Sequence, residues 1–460
     1  MESLMIGISG MRGTIGGTLT PQVLMQMSAA FAAYLKQTVK LADRAHLRVV
    51  FGRDSRPSGS WVRDIAVGTL TASGIEVIDL DIVTTPGVAM MVQHLSADAG
   101  MIATASHNPI QWNGLKFLNA MAIAPPPADA ELIKKLYTQQ KTDLVRVEKL
   151  IAPTKNTQTH ALHLKRVLDH VDVLGISSKR FKVVLDSVNG AGCVVTATML
   201  NKLGCQLAHI HATPNGQFPH EPEPTAANLT GLCDEVKRQR AVCGFAQDPD
   251  ADRLAIVDEN GVYIGEEYSL VLAAEHILSK KSGGVAAANL STSRMLDDIA
   301  AKHGGRVVRT PVGEANVVQA MLRENAIIGG EGNGGVIDPR IVPGRDSLVG
   351  MAYVLQLMAD TGKTISQLVA ALPRYQIIKS KFECRREDAD RAVEAVKKEF
   401  AKEKIDTQDG VRIDWESSWI HARPSNTEPI MRIIAEAPDR ATAEQKIAQV
   451  QAVVDRAIKG

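Results

Sequence analysis

The chain has 460 residues, 45% of them hydrophobic and 22% charged, with 52 basic against 51 acidic side chains and a formal net charge of +1. That length exceeds one ordinary core and predicts three or four domains. The near-neutral balance excludes a general nucleic-acid or anionic-membrane surface, and no run reaches the roughly 18 apolar residues of a membrane span, so any anion site must be local.

In chain order, residues 8–17 are glycine-rich around Arg12, which by itself reads as a turn. A helix is predicted over 21–36. A pattern then repeats three times: strand, polar turn, helix, glycine, strand, Thr-Pro. The first copy has strands over 47–51 and 75–82 and closes at Thr85-Pro86. The second has strands over 181–185 and 206–211 and closes at Thr213-Pro214. The third has strands over 285–290 and 307–308 and closes at Thr310-Pro311. Glycine after a helix supplies the left-handed stop, and strand–helix alternation argues for layered α/β domains. The polar run 141–155 reads as a linker, and 159–173 as the helix that opens the next domain. Asp258-Glu259-Asn260-Gly261 reads as a hairpin turn near a further boundary. Beyond about residue 372 the pattern becomes that of a smaller α+β domain, with a final helix over 440–458 laid on its sheet. The predicted fold class is therefore three tandem related α/β domains with mixed sheets, over 1–150, 156–257 and 258–372, and a C-terminal α+β domain over 373–460.

Inside this frame, residues 99–103 form a short apolar run that reads as a buried strand, and Asn108-Pro109 breaks it into a turn. Ser106 then lies on a loop at a strand end, with His107 beside it and Lys116 within reach. Taken alone, Ser-His-Asn-Pro is only a turn closed by proline. Further on, Asp248-Pro249-Asp250-Ala251-Asp252-Arg253 alternates three carboxylates on one loop, a hard oxygen set that suits Mg²⁺ or Ca²⁺. An EF-hand calcium loop is the nearest rival. It fails because its sixth position, which needs glycine, is Arg253, and because the flanks 242–246 and 254–257 read as strands. A solvated acidic turn is the plainer alternative. Gly330-Glu331-Gly332-Asn333-Gly334-Gly335 is a glycine-rich turn before a strand. Arg423-Pro424-Ser425-Asn426-Thr427 gathers a guanidinium, two hydroxyls and an amide that can surround a dianion. A serine, a carboxylate triad, a glycine-rich loop and an Arg/hydroxyl loop together point to phosphoryl transfer.

These four motifs, in this order and across nearly the whole chain, resemble the α-D-phosphohexomutases, which move a phosphate between positions 1 and 6 of a sugar. The resemblance implies that Ser106 carries the phosphoryl group and that Asp248, Asp250 and Asp252, with a phosphoryl oxygen on Ser106, hold Mg²⁺. Lys116 answers to the general acid/base of the family's N-G-x-K motif and needs a lowered pKa for that task. Arg12 answers to the arginine of its G-x-R-G segment, which points at the reacting phosphate; Arg253 adds a second guanidinium for the phosphate. His107 orients the loop. Glu331 and Asn333 fall in the sugar loop, G-E-x-S-G-H in the family, with Asn333 in place of serine and Gly335 in place of histidine. Arg423, Ser425, Asn426 and Thr427 answer to the grip on the non-reacting phosphate, and the C-terminal domain to a lid that excludes water. The loops look most like those of phosphoglucosamine mutases, which implies interconversion of glucosamine 6-phosphate and glucosamine 1-phosphate. Phosphomannomutase/phosphoglucomutase action on mannose or glucose phosphates is the alternative. A metal-dependent sugar phosphatase and a non-catalytic sugar-phosphate sensor are the rivals of other classes.

The implied partners are small sugar phosphates, and nothing in the sequence marks an oligomeric state. Five cysteines make an odd number without C-x-x-C spacing, which predicts buried thiols in a reducing compartment. Residues 1–10 show no signal-peptide pattern, and the predicted location is cytoplasmic.

Overall fold

The run at 99–103 forms the strand expected of it, Ala99–Ala103, buried at every residue. It lies inside a seven-stranded mixed sheet of β1 (Met5–Gly7), β2 (Gly10–Thr14), β3 (Arg48–Arg53), β4 (Glu76–Ile82), β5 (Ala99–Ala103), β6 (Trp112–Asn119) and β7 (Thr154–Lys155), in the order β1-β2-β6-β5-β3-β4-β7. The pairs β3–β5, β3–β4 and β4–β7 are parallel; β1–β2, β2–β6 and β5–β6 are antiparallel. This computed structural model describes residues 4–41, 44–425 and 430–459. The chain divides into two units, Met1–Ile277 with Asn333–Val369, and Leu278–Gly332 with Ala370–Gly460.

In the first unit, the helix Pro21–Thr38 starts where Thr20 accepts a hydrogen bond from the Val23 amide, with proline in its first turn. Its Phe31 stacks on Phe117 of β6 with ring centroids 4.4 Å apart. Burying each such ring is worth roughly 1.5–3 kcal/mol. The glycines of β2 and β6 follow from how closely the two strands approach. A Cβ on Gly10 would lie 1.9 Å from the Leu115 carbonyl oxygen, and one on Gly114 would lie 2.1 Å from that of Met11. The resulting register pairs Gly10 with Lys116 and Arg12 with Gly114, bringing Arg12 and Lys116 to neighbouring strands.

A second sheet in this unit joins β8 (Lys182–Asp186), β9 (Gln206–Ile210), β10 (Cys243–Gln247) and β11 (Leu254–Val257) in the order β11-β10-β8-β9. Only the β10–β11 pair is antiparallel, and its connection carries the three alternating aspartates. Strands therefore flank the triad on both sides, as the case against a calcium loop required. The helix Ser347–Thr361, buried from Ser347 to Met358, belongs to this unit as well, capped by the Asp346 carboxylate.

The second unit holds a parallel set in which Val285–Asn289 is flanked by Arg306–Thr310 and Ile328–Glu331. It also holds a five-stranded antiparallel sheet of Gln376–Glu383, Ile430–Ala437, Trp419–Pro424, Val411–Asp414 and Lys404–Asp406, in that spatial order. The final helix, Arg440–Lys459, covers that sheet: Val450, Val453 and Val454 are buried in one cluster with Met431, Ile433 and Ile420.

Three expectations need correction. Thr85-Pro86 does not end a unit: it opens the helix Thr85–His94, capped by Thr84, because proline is pre-set for a first helical turn. The helix expected over 159–173 stops at Leu168 and restarts as Val173–Ser178, where the Asp172 carboxylate accepts from the Gly175 amide and caps a new helix. The linker 141–155 contributes β7 to the edge of the first sheet. All five cysteines are free thiols, and Cys233 is only half-buried. Among the described residues no helix is long and apolar enough to cross a membrane.

Candidate active site

Ser106 sits on the loop between β5 and β6, 1% exposed, with φ +51. That left-handed conformation is costly for a residue with a side chain and persists only where the surroundings impose it. The loop is held from both sides. The Ser106 amide donates to Thr104 Oγ1 at 2.9 Å, and Thr104 Oγ1 donates to Asp54 Oδ2 at 2.7 Å. The fully buried Arg56 donates to the carbonyls of Ser106 and Asn108 at 2.6 Å and of Pro109 at 2.7 Å. Ser106 Oγ is left facing Asp248 Oδ2 at 3.0 Å and His107 Nδ1 at 3.3 Å. Burial, and then the positive charges of Arg253 and Arg12, push the His107 imidazole down to about 2, so it is neutral.

The aspartates come from the β10–β11 loop. Asp248, Asp250 and Asp252 are fully buried, each offering one oxygen within 4.8 Å of the others. Burial and the charges of Asp252 and Asp250 push the Asp248 carboxyl well above its usual range. Burial acts the same way on Asp250, but Lys116 outweighs it and holds that carboxyl below its usual range. Asp250 Oδ1 and Asp252 Oδ1 are buried without a hydrogen-bond partner. Three buried carboxylates with two unpartnered oxygens fit a hard divalent cation, so the cluster can hold a metal ion.

Lys116 Nζ lies 2.7 Å from Asp250 Oδ2 and 3.4 Å from Asp252 Oδ2. Burial would lower its pKa; the two carboxylates raise it more, and the net direction is upward. The lowered pKa expected from neighbouring cations is therefore not found in this state, because the aspartates lie closer than the arginines' influence can offset. Arg12 Nη1 donates to Asn108 Oδ1 at 3.2 Å, so the G-x-R-G arginine does reach the serine loop. Arg253 Nη1 lies 3.4 Å from Glu223 Oε1, and the Arg253 amide donates to Asp248 Oδ1 at 3.1 Å. Thus Arg12, Ser106, His107, Lys116, Asp248, Asp250, Asp252 and Arg253 converge within the first unit.

Asn333 also lies in the first unit, with its Oδ1 buried and unpartnered. In the second unit Glu331 Oε1 accepts from Asn289 Nδ2 at 2.9 Å and from the Gly313 amide at 3.2 Å. The amide of the adjacent Val312 donates to Asp409 Oδ2 at 3.0 Å, and the same oxygen pairs with Arg423 Nε at 2.9 Å. Glu331 and Arg423 are thus tied to consecutive residues of one turn. The Ser425 amide donates to the Ile430 carbonyl at 2.8 Å. Asn426 and Thr427 lie outside the described residues.

Sequence reasoning missed Arg345, Thr85, Arg56 and Glu223. Arg345 Nη2 donates to Asp252 Oδ2 at 2.7 Å, and Thr85 Oγ1 to Asp250 Oδ2 at 2.7 Å. A Cβ on Gly335 would lie 2.2 Å from Arg345 Cδ, so the arginine fills the space where the resemblance leads one to look for a histidine. A signal existed: Gly344-Arg345-Asp346-Ser347 repeats Gly52-Arg53-Asp54-Ser55.

The chain is similar to known proteins along nearly its whole length. The chain matches the four domains described for phosphoglucomutase/phosphomannomutase: alpha/beta/alpha domain I over residues 3–143, II over 161–261, III over 265–375, and the C-terminal domain over 380–453. It is 35% identical to a "Phosphoglucomutase/phosphomannomutase" of Thermococcus kodakarensis, covering 99% of both chains. It is 33% identical to a "Probable phosphoglucosamine mutase" of Methanopyrus kandleri, covering 98% of both. Its fold matches the crystal structure of a phosphoglucomutase/phosphomannomutase family protein from Burkholderia thailandensis with a TM-score of 0.84 and 24% identity, over 99% of this chain and 97% of that one. The chain belongs to the phosphoglucomutase/phosphomannomutase family, the phosphohexomutases, isomerases that work by phosphoryl transfer.

Proposed function

We propose that this enzyme moves a phosphoryl group between the 1 and 6 positions of a hexose phosphate, with Ser106 as the phosphorylated residue and a 1,6-bisphosphate as intermediate. Interconversion of glucosamine 6-phosphate and glucosamine 1-phosphate is the preferred reading, and mannose or glucose phosphates are the second. The observation that carries it is Ser106 Oγ set 3.0 Å from one buried aspartate of a triad whose next member holds Lys116 at 2.7 Å. The domains divide the labour in this reading. Residues 1–150 carry the serine, 156–257 the metal loop, 258–372 the sugar loop, and 373–460 the grip on the distal phosphate.

The O–P bond to Ser106 breaks as one forms to the sugar hydroxyl; Lys116 can take that hydroxyl's proton only once the Asp250 and Asp252 charges that now keep it protonated are offset. In the return step the other phosphoryl bonds to Ser106 Oγ as its bond to the sugar oxygen breaks, and Lys116 gives its proton to that leaving sugar oxygen. Arg12 and Arg253 supply fixed donors for the phosphoryl oxygens, and His107, neutral, orients the loop. Asp248, Asp250 and Asp252, with a phosphoryl oxygen on Ser106, would hold Mg²⁺. That ion would neutralise charge on the transferring group. Glu331 and Asn333 would read the sugar; the unpartnered Asn333 oxygen supports this. Water is kept from the phosphoserine by burial, and a cytoplasmic location suits sugar phosphates.

Steady-state kcat/KM with glucosamine, glucose and mannose 1-phosphates tests the reading, and the glucosamine compound is expected to be best. Release of inorganic phosphate without isomer would make the protein a phosphatase, and binding without turnover would make it a sensor. Asp250→Asn is expected to weaken Mg²⁺ activation at least about 10-fold, the scale set by altering even an outer-shell partner of a metal. The loss of metal activation is expected to exceed the loss of thermal stability, which falls because buried Lys116, 2.7 Å from Asp250, is left with Asp252 as its nearby carboxylate partner. Unfolding of the wild-type protein on chelation would instead make the triad a structural site.

Arg423, with Ser425, Asn426 and Thr427, would hold whichever phosphate is not reacting. The 1- and 6-phosphates must enter in opposite orientations, yet the end far from Ser106 is a phosphate in both. Arg423→Lys keeps the charge and loses the planar fork. It is expected to raise KM for both substrates by a similar factor of about 10 or more, the cost of one charged hydrogen bond. A loss confined to one substrate would require two separate phosphate sites.

A further inference from the structure

Between β9 and the helix Thr230–Gln239 the chain runs through residues 211–229 without helix or strand. Four prolines, Pro214, Pro219, Pro222 and Pro224, fix φ along this stretch and reduce the entropy lost in holding it to one path. Its start is clasped. The Asp186 carboxylate, buried at the end of β8, meets His211 Nδ1 on one oxygen and His220 Nε2 on the other, each at 3.0 Å. His220 Nδ1 is fixed in turn by the Glu221 carbonyl at 2.8 Å. Burial would raise the Asp186 carboxyl, but the two imidazoles outweigh it and bring it down to about 2, so the clasp is built on an ionised carboxylate.

From that anchor the segment reaches three parts of the site. Its Gly216 amide donates to the Asn189 carbonyl at 3.1 Å, and the same carbonyl accepts from Ser55 Oγ at 2.7 Å. Gly216 has φ +67, and a Cβ there would lie 2.3 Å from the Ser55 carbonyl oxygen and 2.6 Å from Arg56 Cα, so only glycine permits the approach. The Phe218 ring centre lies 4.9 Å from Arg56 Cζ, against the guanidinium that grips the serine loop. Glu223 Oε1 then lies 3.4 Å from Arg253 Nη1 and 3.8 Å from His107 Nε2.

We propose that residues 211–223 form a strap, clasped by Asp186 and His220, that sets the position of the serine loop through Arg56 and of Arg253 and His107 through Glu223. His220, Phe218 and Glu223 are thereby positioning residues for phosphoryl transfer. This rests on the reading of Ser106 as the phosphorylated residue. Its structural half does not, because Arg56 holds the loop whatever reaction follows.

The test measures backbone amide exchange across residues 104–112 together with kcat and KM in His220→Gln, Phe218→Leu, Phe218→Trp and Glu223→Gln. His220→Gln and Phe218→Leu are expected to speed exchange of the serine loop about 10-fold or more. They should lower kcat about 10- to 100-fold with little change in KM, as misplacement of a reacting group does. Phe218→Trp keeps an aromatic face over Arg56 and should restore both readouts. Glu223→Gln, on an exposed side chain, should lower kcat without altering exchange. Unchanged exchange in His220→Gln and Phe218→Leu overturns the strap, whether or not the wild-type protein turns over a hexose phosphate. Saturable Zn²⁺ binding abolished by Asp186→Asn would also overturn it, by making the clasp a metal site.

Discussion

Ser106→Ala is expected to lose at least about 10³-fold in kcat/KM, because it removes the atom through which a covalent route must pass. Two features make the loss readable. Among the described residues Ser106 Oγ hydrogen-bonds with Asp248 and His107, so its removal leaves the Arg56 and Thr104 bonds to the loop backbone in place. The left-handed backbone at Ser106 suits glycine better than alanine. Ser106→Gly should therefore fold at least as well and be equally inactive, which separates chemistry from strain. Mass spectrometry of the active wild-type protein should find one phosphoryl group that both variants lack. Near-normal mutase turnover in either variant would end the phosphoserine reading.

Lys116→Met should lower kcat by about 10²- to 10⁴-fold, the span of a lost general acid/base. The same change should tighten Mg²⁺ binding, because the ammonium 2.7 Å from Asp250 competes with a cation for the triad's charge. Opposite signs in the two measurements are the signature of this geometry. A lysine that only balanced the aspartates would show the tighter metal binding with little loss of kcat, and that outcome would remove Lys116 from proton transfer. Arg12 is no substitute, since it is bonded to Asn108 across the loop.

What was legible in the sequence was local. Ser106, His107, Lys116 and the triad lie in short segments whose residue types and spacing already carry the chemistry. Strand Ala99–Ala103 was legible because every residue in it is apolar or glycine. Arg345 and Glu223 were not: the repeated Gly-Arg-Asp-Ser turn marks Arg345 but not its partner, Asp252, which it reaches across 93 positions. The first Thr-Pro closing misled for a different reason. Proline suits a turn and a first helical turn equally, and Thr84 capping the helix tips this one to helix. The pKa of Lys116 needed relative distances to aspartates and arginines, which a sequence does not contain.

The discontinuity of the first unit has a consequence for the order of synthesis. The chain makes the serine loop and the aspartates first, leaves for residues 278–332, and only then returns with Asn333–Val369. That returning piece supplies Arg345 against Asp252 and the buried helix Ser347–Thr361. At roughly 5–20 residues per second on the ribosome, the nascent aspartate loop spends on the order of 10 s without its closing arginine. A half-made chain therefore has Ser106, the proposed nucleophile, before Arg345 joins the aspartates, and that arrangement is complete only once translation has passed residues 330–345.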